Sequence, residues 1–221
     1  MRAAAVTVYS GYVTDDASGL TLVSLTGTRY RFDPGALSLE FLTTGGPGPV
    51  GRRYEALHRP ADLAAWLALS RLRLDPARVE VDPQELATAR RLRDALWRLA
   101  CARTGGRPPS DDPADFDATP ADLATLNEVA AGAPLVPELT AEGSRRWALP
   151  ARGGQALATI ARDAVDLFSG PYAGRIRECG AHNCHLVFVD TSRPGQRRWC
   201  SMERCGNRHK VRSLRARRTE D

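Results

Sequence analysis

The chain has 221 residues, and its 31 basic and 26 acidic side chains give a net charge of +5. That length fits one large domain, or one domain with a small module. No apolar run approaches the roughly eighteen residues of a membrane span, and the N-terminus lacks the apolar core of a secretory signal. We therefore expect a cytoplasmic protein that has no membrane partner.

The charge is unevenly distributed along the chain. Residues 175–221 contain 12 basic and 5 acidic side chains, a net charge of +7, while the remainder carries −2. A basic C-terminal segment indicates a polyanionic partner. Lys210 is the only lysine, and Ala, Arg, Gly and Pro are abundant. This composition is typical of a GC-rich bacterial genome, so part of the arginine content reflects that bias.

The first 60 residues show only weak patterns of secondary structure. Residues 26–28 (Thr-Gly-Thr) lie between two apolar segments, 20–25 and 30–32, and predict a hairpin turn. Residues 37–41 alternate between apolar and polar side chains and predict a short strand or the start of a helix. Residues 43–51 contain four glycines and two prolines and predict a loop.

Four helices are predicted beyond residue 60, at 60–70, 82–103, from 119 onward and at 155–169, with a strand near Trp147. The second is the clearest, because Asp82 can cap it, Pro83 fits its first position and Glu85 fits its third. We expect a mainly α (α+β) fold, in which a helical N-terminal domain with a few short strands precedes a small C-terminal module.

Four of the five cysteines form two pairs near the C-terminus, Cys179 with Cys184 and Cys200 with Cys205. Each pair has four intervening residues, and this spacing predicts a zinc site. Four thiolates would close the coordination shell, so the single Zn²⁺ should be structural rather than catalytic. His182 or His185 could replace a cysteine, although surface or outer contacts are the simpler role. Cys101 fits a buried apolar position in the second helix.

The local pattern predicts how this module folds. Residues 185–190 read as a strand and 197–199 as a second strand returning to Cys200. Ser201 can cap a helix that starts near Met202 and runs to 218. A knuckle, a hairpin and a helix carrying the last ligand form a treble-clef-like plan.

The basic residues of this module are candidates for nucleic-acid binding. On a helix, Arg204, Arg208, Arg212 and Arg215 would form one stripe. Arg208 could instead be structural, for example paired with Asp190. The full candidate set is Arg197, Arg198, Arg204, Arg208, Lys210, Arg212, Arg215, Arg217 and Arg218.

The sequence resembles the CGNR zinc finger family, whose name is spelled by Cys205-Gly206-Asn207-Arg208. Residues 188–193 and 198–202 also resemble that family, and residues 32–44, 62–67 and 126–127 resemble the ABATE domain that precedes this finger. Thr43 stands where the family usually has asparagine. The resemblance implies an N-terminal extension at 1–31, an ABATE-like α-rich domain at 32–174 and a CGNR-type finger at 175–221.

The resemblance also implies a function, because the family is described as zinc-binding, DNA-binding regulators of transcription under stress. The N-terminal domain would then bind a small-molecule effector or form a homodimer. The alternative is a zinc-stabilised module that binds RNA or protein without reading DNA sequence. The third class considered is an enzyme. The sequence contains no phosphate-binding glycine loop, nucleophile elbow or acid–base pair, so we expect no catalytic residues.

Overall fold

The computed structural model describes residues 19–24, 27–106 and 112–212, and within them the mainly α fold with a few short strands is confirmed. The helices are α1 (Leu37–Phe41), α2 (Gly48–Arg53), α3 (Pro60–Leu69), α4 (Pro83–Thr104), α5 (Pro120–Ala131), α6 (Gly153–Ser169) and α7 (207–212). The strands are β1 (Leu20–Val23), β2 (Arg29–Phe32), β3 (Val79–Glu80), β4 (Pro137–Leu139), β5 (Arg145–Trp147), β6 (Ala151–Arg152), β7 (Ile176–Glu178) and β8 (Val187–Val189). No helix in the described ranges is both long and apolar enough to cross a bilayer.

Helices α3, α4 and α5 begin in the same way. Each has proline at its first position and an acidic residue two positions later. In each, that carboxylate accepts a hydrogen bond from the backbone N–H of the residue before the proline, at 2.7 Å for Asp62, 2.9 Å for Glu85 and 2.8 Å for Asp122. This cap satisfies an N–H that has no partner within the helix, and in α4 it is reciprocal, because the Asp82 carboxylate accepts from the Glu85 N–H at 2.8 Å. It explains why the sequence pattern placed these three starts correctly.

The loop predicted at 43–51 is wrong in its second half. Within this segment, positive φ angles occur at Gly45, Gly46 and Gly48, and α2 begins at Gly48. Gly46 is required by packing, because a Cβ there would lie 2.4 Å from Nε1 of Trp97. The glycines therefore act as a local bend, and Pro49 fits the first turn of the helix that follows.

The buried apolar residues form two clusters. The larger one is the core of the helical part, with fully buried side chains from α1, α3, α4 and α6. The smaller one contains Tyr30, Phe32, Phe188 and the four C-terminal cysteines. Strands β7 and β8 pair antiparallel between the two clusters, with Ile176 opposite Val189. Since neighbouring side chains of a strand point to opposite faces, Val187 and Val189 join the helical core and Phe188 joins the cysteine cluster.

The predicted N-terminal hairpin is confirmed by the antiparallel pairing of β1 with β2, in which Leu22 lies opposite Tyr30. It packs against the cysteine cluster through Tyr30 and Phe32, although almost 150 residues of sequence separate them from the cysteines. The strand predicted near Trp147 is β5, which pairs with β4, while β3 and β6 form a short parallel pair.

Candidate metal centre and its basic surface

The four C-terminal cysteines converge in a buried cluster. Their Sγ atoms all lie within 4.8 Å of one another. The Sγ of Cys200 is 3.7 Å from that of Cys184 and 3.4 Å from that of Cys205. All are free thiols, and a disulfide would need a sulfur separation of about 2.05 Å. A zinc ion bound at about 2.3 Å separates its sulfur ligands by about 3.8 Å in a tetrahedron. The cluster therefore fits one structural zinc ion.

Two turns deliver the cysteine pairs. Cys179 directly follows β7, and Cys184 closes a turn in which its N–H donates to the Ala181 carbonyl at 3.1 Å. Asn183 adopts φ 66° in that turn. The Gly180 N–H donates to the Arg198 carbonyl at 2.9 Å and joins the two turns. Short turns of this kind hold two ligands at small cost in chain entropy.

The second turn is a π-helical segment, Met202–Gly206. The N–H of Gly206 donates to the Ser201 carbonyl at 3.1 Å, five residues back, and the same carbonyl accepts from Cys205 at 3.0 Å. Ser201 is the N-terminal boundary as predicted, but its side chain makes no capping hydrogen bond. The Asn207 Nδ2 donates to the Glu203 carbonyl at 3.3 Å and satisfies a backbone acceptor of the π-helical segment.

The predicted strand at 197–199 is wrong. The partner of β8 is β7, upstream of the first cysteine. Residues 197–199 have no strand partner in the described part of the chain, and a buried Asp190 holds the turn before them. The Asp190 carboxylate accepts from the backbone N–H of Ser192 at 3.0 Å and of Arg197 at 2.8 Å. Burial by itself would raise the pKa of Asp190, but these hydrogen bonds outweigh it and lower the pKa, so the carboxylate is ionised at neutral pH.

The two histidines lie outside the sulfur cluster. His182 is exposed, and the Nδ1 of His185 lies 2.8 Å from Oε1 of Glu178. Trp199 packs against the cluster and stacks on His209, with ring centroids 4.8 Å apart. Cys101 is buried in α4, as expected.

The sulfur atoms perturb one another because they are so close. Hydrogen bonds with Cys184 and Cys200 lower the pKa of the Cys179 thiol to about 7. The hydrogen bond with Cys179 instead raises the pKa of Cys184 and of Cys200, since the shared proton stays with them. A divalent cation binds all four cysteines as thiolates, so the sulfur atoms no longer share protons and metal uptake must release them.

The candidate basic residues fall into three groups. Arg197 and Arg204 are half-buried and make internal contacts, whereas Arg198, Arg208, Lys210 and Arg212 are exposed. Arg215, Arg217 and Arg218 lie outside the described residues.

Arg197 ties the second turn to the N-terminal segment. Its guanidinium donates to the carbonyls of Cys200 at 2.7 Å and Asp33 at 3.0 Å, and lies 4.1 Å from the ring centroid of Phe188. A side chain with these three contacts supports the metal cluster.

Arg204 and Arg208 both reach ligand sulfurs. The Nη1 of Arg204 donates to the Tyr30 hydroxyl at 2.9 Å and lies 3.9 Å from the Sγ of Cys184. The Nη2 of Arg208 donates to the Sγ of Cys205 at 3.5 Å rather than pairing with Asp190. Hydrogen bonds to ligand atoms orient them and moderate their charge. No sequence pattern indicated the contact of Tyr30 with this centre, because Tyr30 lies almost 150 residues before Cys179.

Comparison with protein families identifies the chain. A family model described as "putative stress-induced transcription regulator", ABATE, matches residues 35–171, more than half of the chain. The CGNR zinc finger model matches residues 175–218. No curated protein shows a significant match. The chain belongs to the ABATE family and carries a CGNR zinc finger, as the resemblance predicted.

Proposed function

We propose that this protein is a zinc-dependent regulator of transcription that binds DNA through the exposed basic residues around its fourth cysteine ligand. The observation that carries the proposal is the exposure of Arg198, Arg208, Lys210 and Arg212 next to a rigid metal centre. Among the described residues, Arg198, Lys210 and Arg212 form no ion pair with a carboxylate. They are thus available to phosphates, whose neutralisation releases counterions and supplies most of the affinity.

The metal centre would act as a scaffold in this function. When bound, zinc contributes folding energy and fixes the two turns, because four thiolates leave it no open position. The chain's own residues do the rest: the π-helical segment leads directly from Cys205 into α7, which carries Lys210 and Arg212. An α-helix fits the major groove, where arginine can contact guanine through two hydrogen bonds.

The two halves of the chain would divide the work, with residues 32–174 as the ABATE domain and 175–221 as the finger. A single short helix contacts few bases, so recognition of a specific sequence favours two fingers on two half-sites. The ABATE domain would supply this pairing as a homodimer, respond to a small-molecule effector, or both. Such a stress regulator would act in the bacterial cytoplasm, where thiols stay reduced. Neither matched family is described as enzymatic, and we assign no catalytic residue.

The test is fluorescence anisotropy of the zinc-loaded protein with duplex DNA across a range of salt concentrations. The double variant Lys210→Gln/Arg212→Gln should weaken binding and lower the slope of log K against log salt by roughly 2, about 0.9 for each lost phosphate contact. The matched control is Arg52→Gln/Arg53→Gln, which removes the same charge from exposed positions on α2.

Equal losses in the two double variants would mean that only overall charge matters and would refute the proposed surface. Absence of zinc-dependent binding at low salt would refute DNA binding altogether. Stronger binding to RNA, or to an acidic protein, in the same titration would favour the alternative interaction module.

A further inference from the structure

The β1–β2 hairpin lies outside both family matches, yet it covers one side of the metal centre. The ABATE match begins at residue 35 and the finger match at 175, while the hairpin spans 20–32. Tyr30 and Phe32 are 6% and 0% exposed, and they are buried in the same cluster as the four cysteines. The covering of this side of the metal centre therefore comes from a segment that neither model includes.

Arg204 joins the hairpin to the sulfurs. The guanidinium carbon of Arg204 lies 4.6 Å from the ring centroid of Tyr30, and its Nη1 contacts both the Tyr30 hydroxyl and the Sγ of Cys184. The Nε of Arg204 is buried and has no hydrogen-bond partner among the described residues. The hairpin and the ligand turn thus hold this half-buried side chain between them.

The charge balance around Arg204 depends on the metal. No carboxylate of the described residues pairs with Arg204, and the groups beside it are Tyr30 and ligand cysteines. Burial of a guanidinium without a counter-charge is costly. Four thiolates around one Zn²⁺ carry about two negative charges. Arg204 and Arg208, which both reach ligand sulfurs, would balance them.

We propose that the β1–β2 hairpin is a zinc-dependent cover of the metal centre, with Tyr30 and Arg204 as the positioning residues that hold it. The loaded centre supplies the negative charge that Arg204 needs in order to be buried under the hairpin. The docked hairpin in turn shields the Cys184 side of the centre from water and chelators. Loss of zinc releases the hairpin and exposes Tyr30 and Phe32. Metal occupancy therefore controls whether the β1–β2 hairpin is docked.

The experiment uses the full chain with Arg204→Gln and Tyr30→Phe, the second of which keeps the ring packing and removes only the hydroxyl. The matched controls are Arg198→Gln, an exposed arginine of the same module, and Tyr172→Phe, an exposed tyrosine. Three quantities are measured: the rate of zinc transfer to a chromophoric chelator, the charge-transfer bands of the Co²⁺-substituted protein, and hydrogen exchange of the hairpin amides with and without zinc.

We expect zinc transfer from Arg204→Gln to be about tenfold faster than from the unmodified chain, in line with the loss of other contacts to metal ligands, and a smaller increase for Tyr30→Phe. The Co²⁺ bands should shift in Arg204→Gln but not in Arg198→Gln, because Arg204 contacts the Sγ of Cys184 and no contact of Arg198 with a ligand sulfur is found among the described residues. Removal of zinc should abolish the protection of the hairpin amides. Equal transfer rates for Arg204→Gln and Arg198→Gln, or hairpin protection that persists without zinc, would overturn the proposal.

Discussion

The ion pair between Arg93 and Glu55 gives the most quantitative prediction for the helical part. Arg93 is 2% exposed, and its two Nη atoms lie 2.7 and 2.8 Å from the two carboxylate oxygens of Glu55. Glu55→Ala removes both hydrogen bonds, each worth about 1.5–3 kcal/mol when a charge is involved, and leaves the guanidinium buried. Asp94, at 3.1 Å from the Nε, remains as a partner. We therefore expect a loss of about 3 kcal/mol.

The assay is thermal and urea unfolding of the zinc-loaded protein. For a chain of this length, 3 kcal/mol corresponds to a fall in Tm of about 6–12 °C. The control is Glu138→Ala, which breaks an exposed pair with Arg146 and should cost less than about 1 kcal/mol. The double variant Arg93→Met/Glu55→Met should recover much of the loss, since it leaves no charge unpaired. Equal costs for the two alanine variants would refute the reasoning.

The same pair predicts a dependence on pH. Burial by itself would raise the pKa of Glu55, but the hydrogen bonds and charge of Arg93 outweigh it and lower this pKa from its usual 4.5. The folded value lies below the unfolded one, so the stabilisation is fully present above about pH 4.5 and is lost as the pH falls through the folded value. The difference in unfolding free energy between the unmodified chain and Glu55→Ala should therefore shrink below pH 4.5, and a constant difference down to pH 2 would contradict this.

Two further predictions concern the metal centre and the contact between α4 and α5. Cys200→Ser removes one of the four zinc ligands. It should make the chain after residue 190 sensitive to trypsin, while most of the helical circular dichroism remains. Unchanged proteolysis would count against this prediction. Asp122→Ala should lower the free energy of unfolding in urea by about 2 kcal/mol, because the buried carboxylate accepts from Arg98 at 2.7 Å and caps α5. A loss no larger than that of Glu138→Ala would contradict this.

Local patterns in the sequence predicted helices α3 to α6 and the four cysteines of the metal centre, but not α2. The starts of α3, α4 and α5 follow from a proline and an acidic residue two positions apart, because the cap is formed by neighbours in the chain. The cysteine spacing likewise reports on two short turns. Contacts between distant segments, such as that of Arg204 with Tyr30, left no such signal. Strand β7 was missed as the partner of β8 for a different reason, because it is three residues long and Ile176 is its only apolar side chain.

The basic stripe shows how a helical pattern can fail locally. Counting in α-helical steps placed Arg204 on the same face as Arg208 and Arg212. The π-helical segment Met202–Gly206 has hydrogen bonds five residues apart, so its side chains are turned relative to those of α7. Arg204 consequently points toward Tyr30, while Arg212 is exposed. No composition or periodicity signal foretells such a segment.

Strand β8 has a mechanical consequence, because its two faces belong to different cores. Val187 and Val189 are fixed in the helical core and Phe188 in the cysteine cluster, so the finger is not carried on a tether. The family matches leave only residues 172–174 between them, too few for a swinging linker. If two chains pair through their helical parts, their fingers stand at a fixed separation and orientation. Such a pair would accept one spacing between half-sites and reject others by geometry alone.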